Sequence, residues 1–267
     1  MRRILSLLVV LITASCAKST TRLSCEKYCV GVDPSFFPTE LGQQKANVNA
    51  FTHDLIDAIA KHERVQIEII SLNWDNLIDE MMMGKVDSVV SSAPPNLINM
   101  TKYAFSDPLL CTGPVLIVSK TSPVCDLSQL GGKVVATRYG NDEIEIIASY
   151  PKTQFIFYDR FASALELVSL GNIQATLIPA IPAARYVEDI FHDTLKIVSG
   201  PLTNEALRLL IPSPGTKEMR SDHCQCPHDQ SQAQRRKKLI ILINHGIAHM
   251  HKSGEYEKLQ AKWTLSQ

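Results

Sequence analysis

Val65-Gln66-Ile67-Glu68-Ile69, then Trp74-Asp75-Asn76-Leu77-Ile78, then Val86-Asp87-Ser88-Val89-Val90-Ser91-Ser92 is the stretch that decides the fold. Its first part alternates apolar with polar residues, the period of a half-buried strand. The second part opens a helix that Gly84 stops, and the third is a further strand. Upstream, Tyr28-Cys29-Val30-Gly31-Val32 is a short apolar run that ends at Asp33 and a turn containing proline. Between them Phe51, Leu55 and Ile59 recur every four residues and mark one face of a helix. Strand, helix, strand, helix, strand with short connections predicts a parallel sheet covered by helices.

The theme repeats downstream. Val115 to Ser119, Lys133 to Thr137, Gln154 to Tyr158, Ala175 to Ile178 and Lys196 to Ser199 read as strands. Phe161, Leu165 and Val168 form a helical stripe, with Gly171 placed as the residue after its cap. Leu207 to Ile211 reads as a strand returning to the first unit, and Leu239, Ile243, Ile247 and Met250 line a long amphipathic helix. The expected fold is α/β with two lobes, each a mainly parallel sheet flanked by helices. Crossovers near Thr112 to Pro114 and Gly200 to Thr203 would leave a cleft between the lobes, a preferred place for ligands.

The totals narrow the function classes. Lys and Arg number 27 and Asp and Glu 27, a formal net charge of zero, so no long-range field favours nucleic acid or an anionic surface. No nucleic-acid partner is expected, and function must come from a site. Arg2 and Arg3 precede an apolar run from Ile4 to Ile12, too short at about 1.5 Å per residue to span a core of roughly 30 Å. Small residues and a cysteine follow in Thr13-Ala14-Ser15-Cys16, a pattern that resembles the bacterial lipoprotein cleavage box, although Thr13 stands where leucine is usual. The resemblance implies a signal peptide over 1–15, acylation at Cys16 and a tether over 16–27. The remaining cysteines are Cys25, Cys29, Cys111, Cys125, Cys224 and Cys226, and six allow fifteen pairings. Cys25 with Cys29 and Cys111 with Cys125 are among the nearest in sequence.

Val30-Gly31-Val32-Asp33-Pro34-Ser35-Phe36, Asn73-Trp74-Asp75-Asn76-Leu77-Ile78, Gly84-Lys85-Val86-Asp87 and Phe105-Ser106-Asp107-Pro108 stand in a telling order. With Ser253-Gly254-Glu255-Tyr256-Glu257-Lys258-Leu259 and Lys262-Trp263, the chain from Tyr28 to Trp263 resembles the periplasmic solute-binding proteins of polar amino-acid ABC transporters. The resemblance implies a monomeric binder without a cofactor and without catalysis. It would capture a small polar solute by hinge closure and deliver it to a transporter permease. Lobe 1 would comprise 28–113 and 203–267, and lobe 2 would comprise 114–202.

On that resemblance Phe36 and Trp74 become aromatic walls, and Ser91 and Ser92 offer hydroxyl or backbone groups. Asp33, at a strand end, either receives a ligand cation or caps the next turn. Other positions depart from the family. Asn99 stands where an arginine should pair with the ligand carboxylate, and asparagine does not replace that charge. The second-lobe turn reads Arg138-Tyr139-Gly140-Asn141-Asp142, with Asp142 in place of a hydroxyl residue, and Leu177-Ile178-Pro179 lacks the expected acid. Two readings stay open: a rebuilt pocket with Arg138 as anion partner and Asp33 or Asp142 as cation partner, or a ligand that is not a free α-amino acid.

Two other classes compete. Asp33, Asp142 and Glu143 could supply the acid or base of a periplasmic dehydratase or lyase on the same fold, although no Ser-His-Asp set or paired carboxylates stand out. The insertion Pro212 to Gln234 carries His223, Cys224, Cys226 and His228, with His245, His249 and His251 on the following helix. Sulfur with imidazole is zinc or copper chemistry, yet the spacing matches no common zinc motif and also suits a polar surface loop.

Overall fold

The structure is a computed structural model that describes residues 26–34, 45–213, 230–263 and 265. Cys16, Cys25, Phe36 and the candidate metal ligands His223, Cys224, Cys226 and His228 lie outside those residues. In chain order come β1 (Lys27–Val32), α1 (Lys45–Glu63), β2 (Gln66–Ser71), α2 (Trp74–Met82), β3 (Ser88–Ser91), α3 (Leu97–Lys102), β4 (Tyr103–Phe105) and β5 (Leu110–Cys111). A second group follows: β6 (Pro114–Ser119), β7 (Val134–Thr137), α4 (Asn141–Ser149), β8 (Gln154–Phe157), α5 (Phe161–Ser169), β9 (Ala175–Pro179), α6 (Ala180–Asp189) and β10 (Leu195–Ile197). The chain then returns through β11 (Ala206–Pro212) and closes with α7 (Gln230–Ser253) and α8 (Glu255–Lys262).

The first sheet runs β2-β1-β3-β11-β4, with β5 also paired to β11. Its β1, β2 and β3 are parallel, and β11 is antiparallel to its neighbours. The second sheet runs β10-β6-β9-β7-β8, with β7, β8 and β9 parallel and β6 antiparallel. Both faces of β6 are buried: Val115 and Ile117 pack with Leu165 and Val168 on one side, Leu116 and Val118 with Leu127 and Leu130 on the other. Covered on both faces, such strands read as continuous apolar runs.

The helix faces expected from four-residue spacing are the buried ones. Phe51, Leu55 and Ile59 of α1 meet Leu239, Ile243, Ile247 and Met250 of α7 in one core cluster. Gly84 and Gly171 follow the ends of α2 and α5 with φ of 79° and 74°, the left-handed conformation that glycine tolerates best. A polar clamp pins the start of α7 to the sheet. Arg235 pairs with Asp87 at 2.9 Å and stacks over the Tyr28 ring, while the same carboxylate accepts the Cys29 amide. Buried Arg236 donates to the Met81 carbonyl at 2.9 Å.

The antiparallel strands decide where the lobes meet. β11 enters beside the C-terminal end of β3, with Arg208 opposite Ser91. β6 enters beside the C-terminal end of β9, with Pro114 opposite Pro179. Both crossovers therefore lie at the strand-end edges of their sheets. They are stitched together by main-chain bonds, Thr112 N–H to Glu205 O at 3.0 Å and Leu202 N–H to Pro114 O at 2.8 Å. Gly113 is needed there, since a Cβ would sit 2.5 Å from Thr203 Oγ1 and 3.1 Å from its carbonyl oxygen.

Cys111 and Cys125 are not bridged. Cys111 lies in β5 opposite Ala206, and the exposed, free thiol of Cys125 donates to the Pro123 carbonyl. Cys29 is also a free thiol.

The C-terminal segment is tied back by Asp54, which accepts from Lys262 Nζ at 2.6 Å and Trp263 Nε1 at 2.9 Å. The Lys262 hydrogen bond is the main cause that holds the Asp54 carboxyl below its ordinary range. A carboxyl lowered on folding contributes stability that is complete above its unfolded value of about 3.9 and is lost as pH falls through the lowered one. Asp54→Asn should therefore flatten the acid limb of stability against pH, read as urea midpoints. An equally steep acid limb in the variant would remove Asp54 from the balance.

Candidate functional site

Three parallel strands end on one edge, so the residues just past them gather. Asp33 follows β1, Trp74 opens α2 two residues beyond the β2–α2 turn at Leu72, and Ser91 and Ser92 close β3. Together with Val32, Val90 and Leu207 they line a small recess of about 10 Å³. Asp33 and Ser91 are buried, whereas Trp74 keeps 39% of its surface exposed, a large apolar area presented at the mouth. Ser91 Oγ accepts the Ala93 amide at 3.1 Å, which leaves its hydroxyl hydrogen as a donor. The lining residues comprise one carboxylate and no cation.

Asn99 does not join this recess. It sits in α3, where its amide N–H is capped by Asn96 Oδ1 at 2.9 Å and its side-chain NH2 donates to the Pro94 carbonyl at 2.8 Å. The side chain is spent on the local turn. The same short helix exposes Leu97, Ile98 and Met100.

The second-lobe wall is built by the end of β7 and the start of α4. Gly140 is the N-cap residue of α4 and offers no side-chain cap. Glu143, three residues on, folds back instead: a Cβ on Gly140 would lie 2.2 Å from Glu143 Oε2. A carboxylate in the first turn of a helix is favoured by the positive end of the dipole. Arg138 completes the arrangement, with Nη2 at 3.5 Å from Glu143 Oε1. Glu143 is 4% exposed, and its carboxylate lies beside Gly140 with Arg138 as its charged neighbour. Asn141 and Asp142 are the first two residues of α4, and Pro179 ends β9 with no acid beside it.

Two aromatic residues were missed by sequence reading. Tyr139 and Phe157 follow and end neighbouring strands and stack edge-to-face, their centroids 5.4 Å apart, both more than half exposed. Each sits at a strand end, and that signal, used for Asp33, was present for them too.

Two mixed sheets flanked by helices, joined by paired crossovers at their strand-end edges, define a two-lobe binding protein. The chain belongs to the bacterial extracellular solute-binding proteins, family 3, which it matches over residues 28–266. It is 22% identical over 256 residues to the putative amino-acid ABC transporter-binding protein PatH of Vibrio harveyi, covering 95% of each chain. It is 22% identical over 237 residues to the L-cystine-binding protein TcyJ of Escherichia coli K12, covering 88% of this chain and 81% of that one. Among solved structures, the L-cystine solute receptor of Neisseria gonorrhoeae in its unliganded open conformation superimposes with a TM-score of 0.63 at 16% identity, over 90% of this chain and 93% of that one. The second substrate-binding domain of a putative amino acid ABC transporter from Streptococcus pneumoniae Canada MDR_19A gives 0.59 at 19% identity, over 88% and 99%. At these identities the structural likeness shows the fold. Among the described residues no helix is long and apolar enough to cross a membrane.

Removing the Glu143 carboxylate has a defined effect. Glu143→Gln leaves Arg138 without that carboxylate, and Gly140→Ala displaces it sterically. Each should lower stability by about 1–3 kcal/mol, and the double variant should cost little more than either. Urea unfolding checks this, and unchanged midpoints would show that the pair is not structural.

Proposed function

We propose that this chain is the receptor component of an ABC transporter, capturing a small polar solute, an amino acid or a derivative, between lobes 28–113 plus 203–267 and 114–202. The observation that carries this reading is the recess of Asp33, Trp74, Ser91 and Ser92 at the edge where both crossovers leave their sheets. In this reading Phe36 joins Trp74 as a wall, and Arg138, Asn141 and Asp142 face the ligand from the second lobe. The protein binds and releases without chemical turnover, works as a monomer with a membrane permease, and is held at the membrane by lipid on Cys16. The names of its relatives, amino-acid and L-cystine binders, support the solute class.

The charge of the site sharpens the ligand. The recess carries one acid, and the Arg138 guanidinium already pairs with Glu143. A carboxylate ligand would have to compete with Glu143 for that arginine and for the helix end. An ammonium or guanidinium, by contrast, meets Asp33 and the face of Trp74, an arrangement that attracts cations. In this reading a cationic group of the solute lies against Asp33 and Trp74.

A thermal-shift screen over cationic and neutral amino acids, their amides, short amines and organic acids tests this. Ligand at about 100 times its Kd stabilises the folded form by about 2.7 kcal/mol, so hits raise the melting temperature. Amine-bearing compounds are expected among the hits and simple organic acids are not; the reverse would overturn the charge assignment. For the best hit, Trp74→Ala should weaken binding at least tenfold, about 1.4 kcal/mol, by calorimetry. Unchanged affinity would remove Trp74 from the site.

A further inference from the structure

α1 ends in His62-Glu63 just before β2 begins, and α7 crosses it carrying His245 and, one turn on, His249. The His62, Glu63 and His245 ligand atoms all lie within 4.8 Å of one another. His245 Nδ1 is 2.6 Å and His62 Nε2 3.6 Å from the same Glu63 oxygen, Oε1. The His62 ring also stacks on His249, with centroids 3.6 Å apart and planes 14° from parallel.

We propose that these residues form a binding site for a divalent transition-metal ion of the zinc class, with His62, Glu63 and His245 as ligands and His249 holding the His62 ring in place. The site is independent of the solute-binding reading.

The chemistry fits on three counts. Two neutral imidazoles and a carboxylate are a donor set suited to zinc and its neighbours, and they bring one negative charge to a dication. Bonds of about 2.0–2.1 Å in tetrahedral geometry separate ligand atoms by about 3.3 Å, so the cluster needs only side-chain rotation to close on an ion. Water can complete the coordination, because His62 and His245 are both exposed. Glu63, by contrast, keeps only 10% of its side chain exposed.

The scaffold beneath the cluster is fixed. A Cβ on Gly246 would lie 2.4 Å from Ile59 Cγ2, so only glycine allows α7 to approach α1 this closely, one residue from His245. Glycine inside a helix costs about 1 kcal/mol relative to alanine, which makes close approach the evident reason for it. Ile59, Ile243 and Ile247 are buried around the crossing. The ligands thus stand on rigid helices, as a metal site requires.

The position is also informative. α1 feeds the N-terminal end of β2, whereas the recess lies at the C-terminal ends of the same parallel strands. The six residues of β2 separate the two edges by about 20 Å. An ion here would clip α1 to α7 far from the solute.

The test is a ZnCl2 titration of chelator-treated, untagged protein, followed by calorimetry and melting temperature, with Co2+ absorption as a probe of coordination. The expected result is one saturable equivalent at this site, a raised melting temperature, and at least tenfold weaker binding in each of His62→Ala, Glu63→Gln and His245→Ala. A variant carrying His223→Ala, Cys224→Ser, Cys226→Ser and His228→Ala should keep this binding. Melting temperatures in chelator show whether each variant folds, and if His245→Ala does not, the exposed His62→Ala carries the test. Absence of saturable zinc binding, or its loss in the four-residue variant while His62→Ala retains it, would overturn the proposal.

Discussion

Parallel strands must all finish on the same edge of their sheet, and the recess and both crossovers depend on that constraint. β1, β2 and β3 deliver Asp33, Trp74 and the Ser91–Ser92 pair to one line because hydrogen-bond register permits no other outcome. The second sheet obeys the same rule with β7, β8 and β9. One antiparallel strand in each sheet, β11 and β6, then brings a crossover to that edge. Loops over strand ends carry little packing duty, which frees their side chains for recognition.

The electrostatic design differs between the two walls. In the first lobe a buried acid and an exposed indole stand together. In the second, buried Glu143 lies beside Gly140 at the start of α4, with Arg138 as its counter-charge. Elsewhere the same logic serves stability alone. Arg235 and Arg236 anchor the start of α7 through Asp87 and the Met81 carbonyl, so that charged groups in a mostly apolar environment are matched at short range.

Much of the architecture was legible because burial imposes periods. Val65, Ile67 and Ile69 show a strand by alternation, and Leu239, Ile243, Ile247 and Met250 show a helix by spacing. Short elements escaped for the opposite reason: α3, with no buried side chain, and the three-residue β4 leave no pattern to read. The meeting of Asp33, Trp74, Ser91 and Ser92 in one recess was legible because strand ends can be located from sequence. The spending of Asn99 on Pro94 and of Arg138 on Glu143 was not, since both follow from a chain folding back within five residues. The His62, Glu63 and His245 cluster was hidden more deeply. His245 and His249 shared a visible face, but their partners lie far away in sequence, and only the packing of two helices joins them.

The paired crossovers carry a mechanical consequence. Two single strands would let the halves shear, twist and drift apart; two strands laced by amide-to-carbonyl bonds, with Gly113 pressed against Thr203, resist sliding and yield mainly to bending. Such a joint leaves one soft coordinate, an angle. Whatever occupies the gap would then be reported to the outside as a single number, legible to a second protein that never touches the cargo.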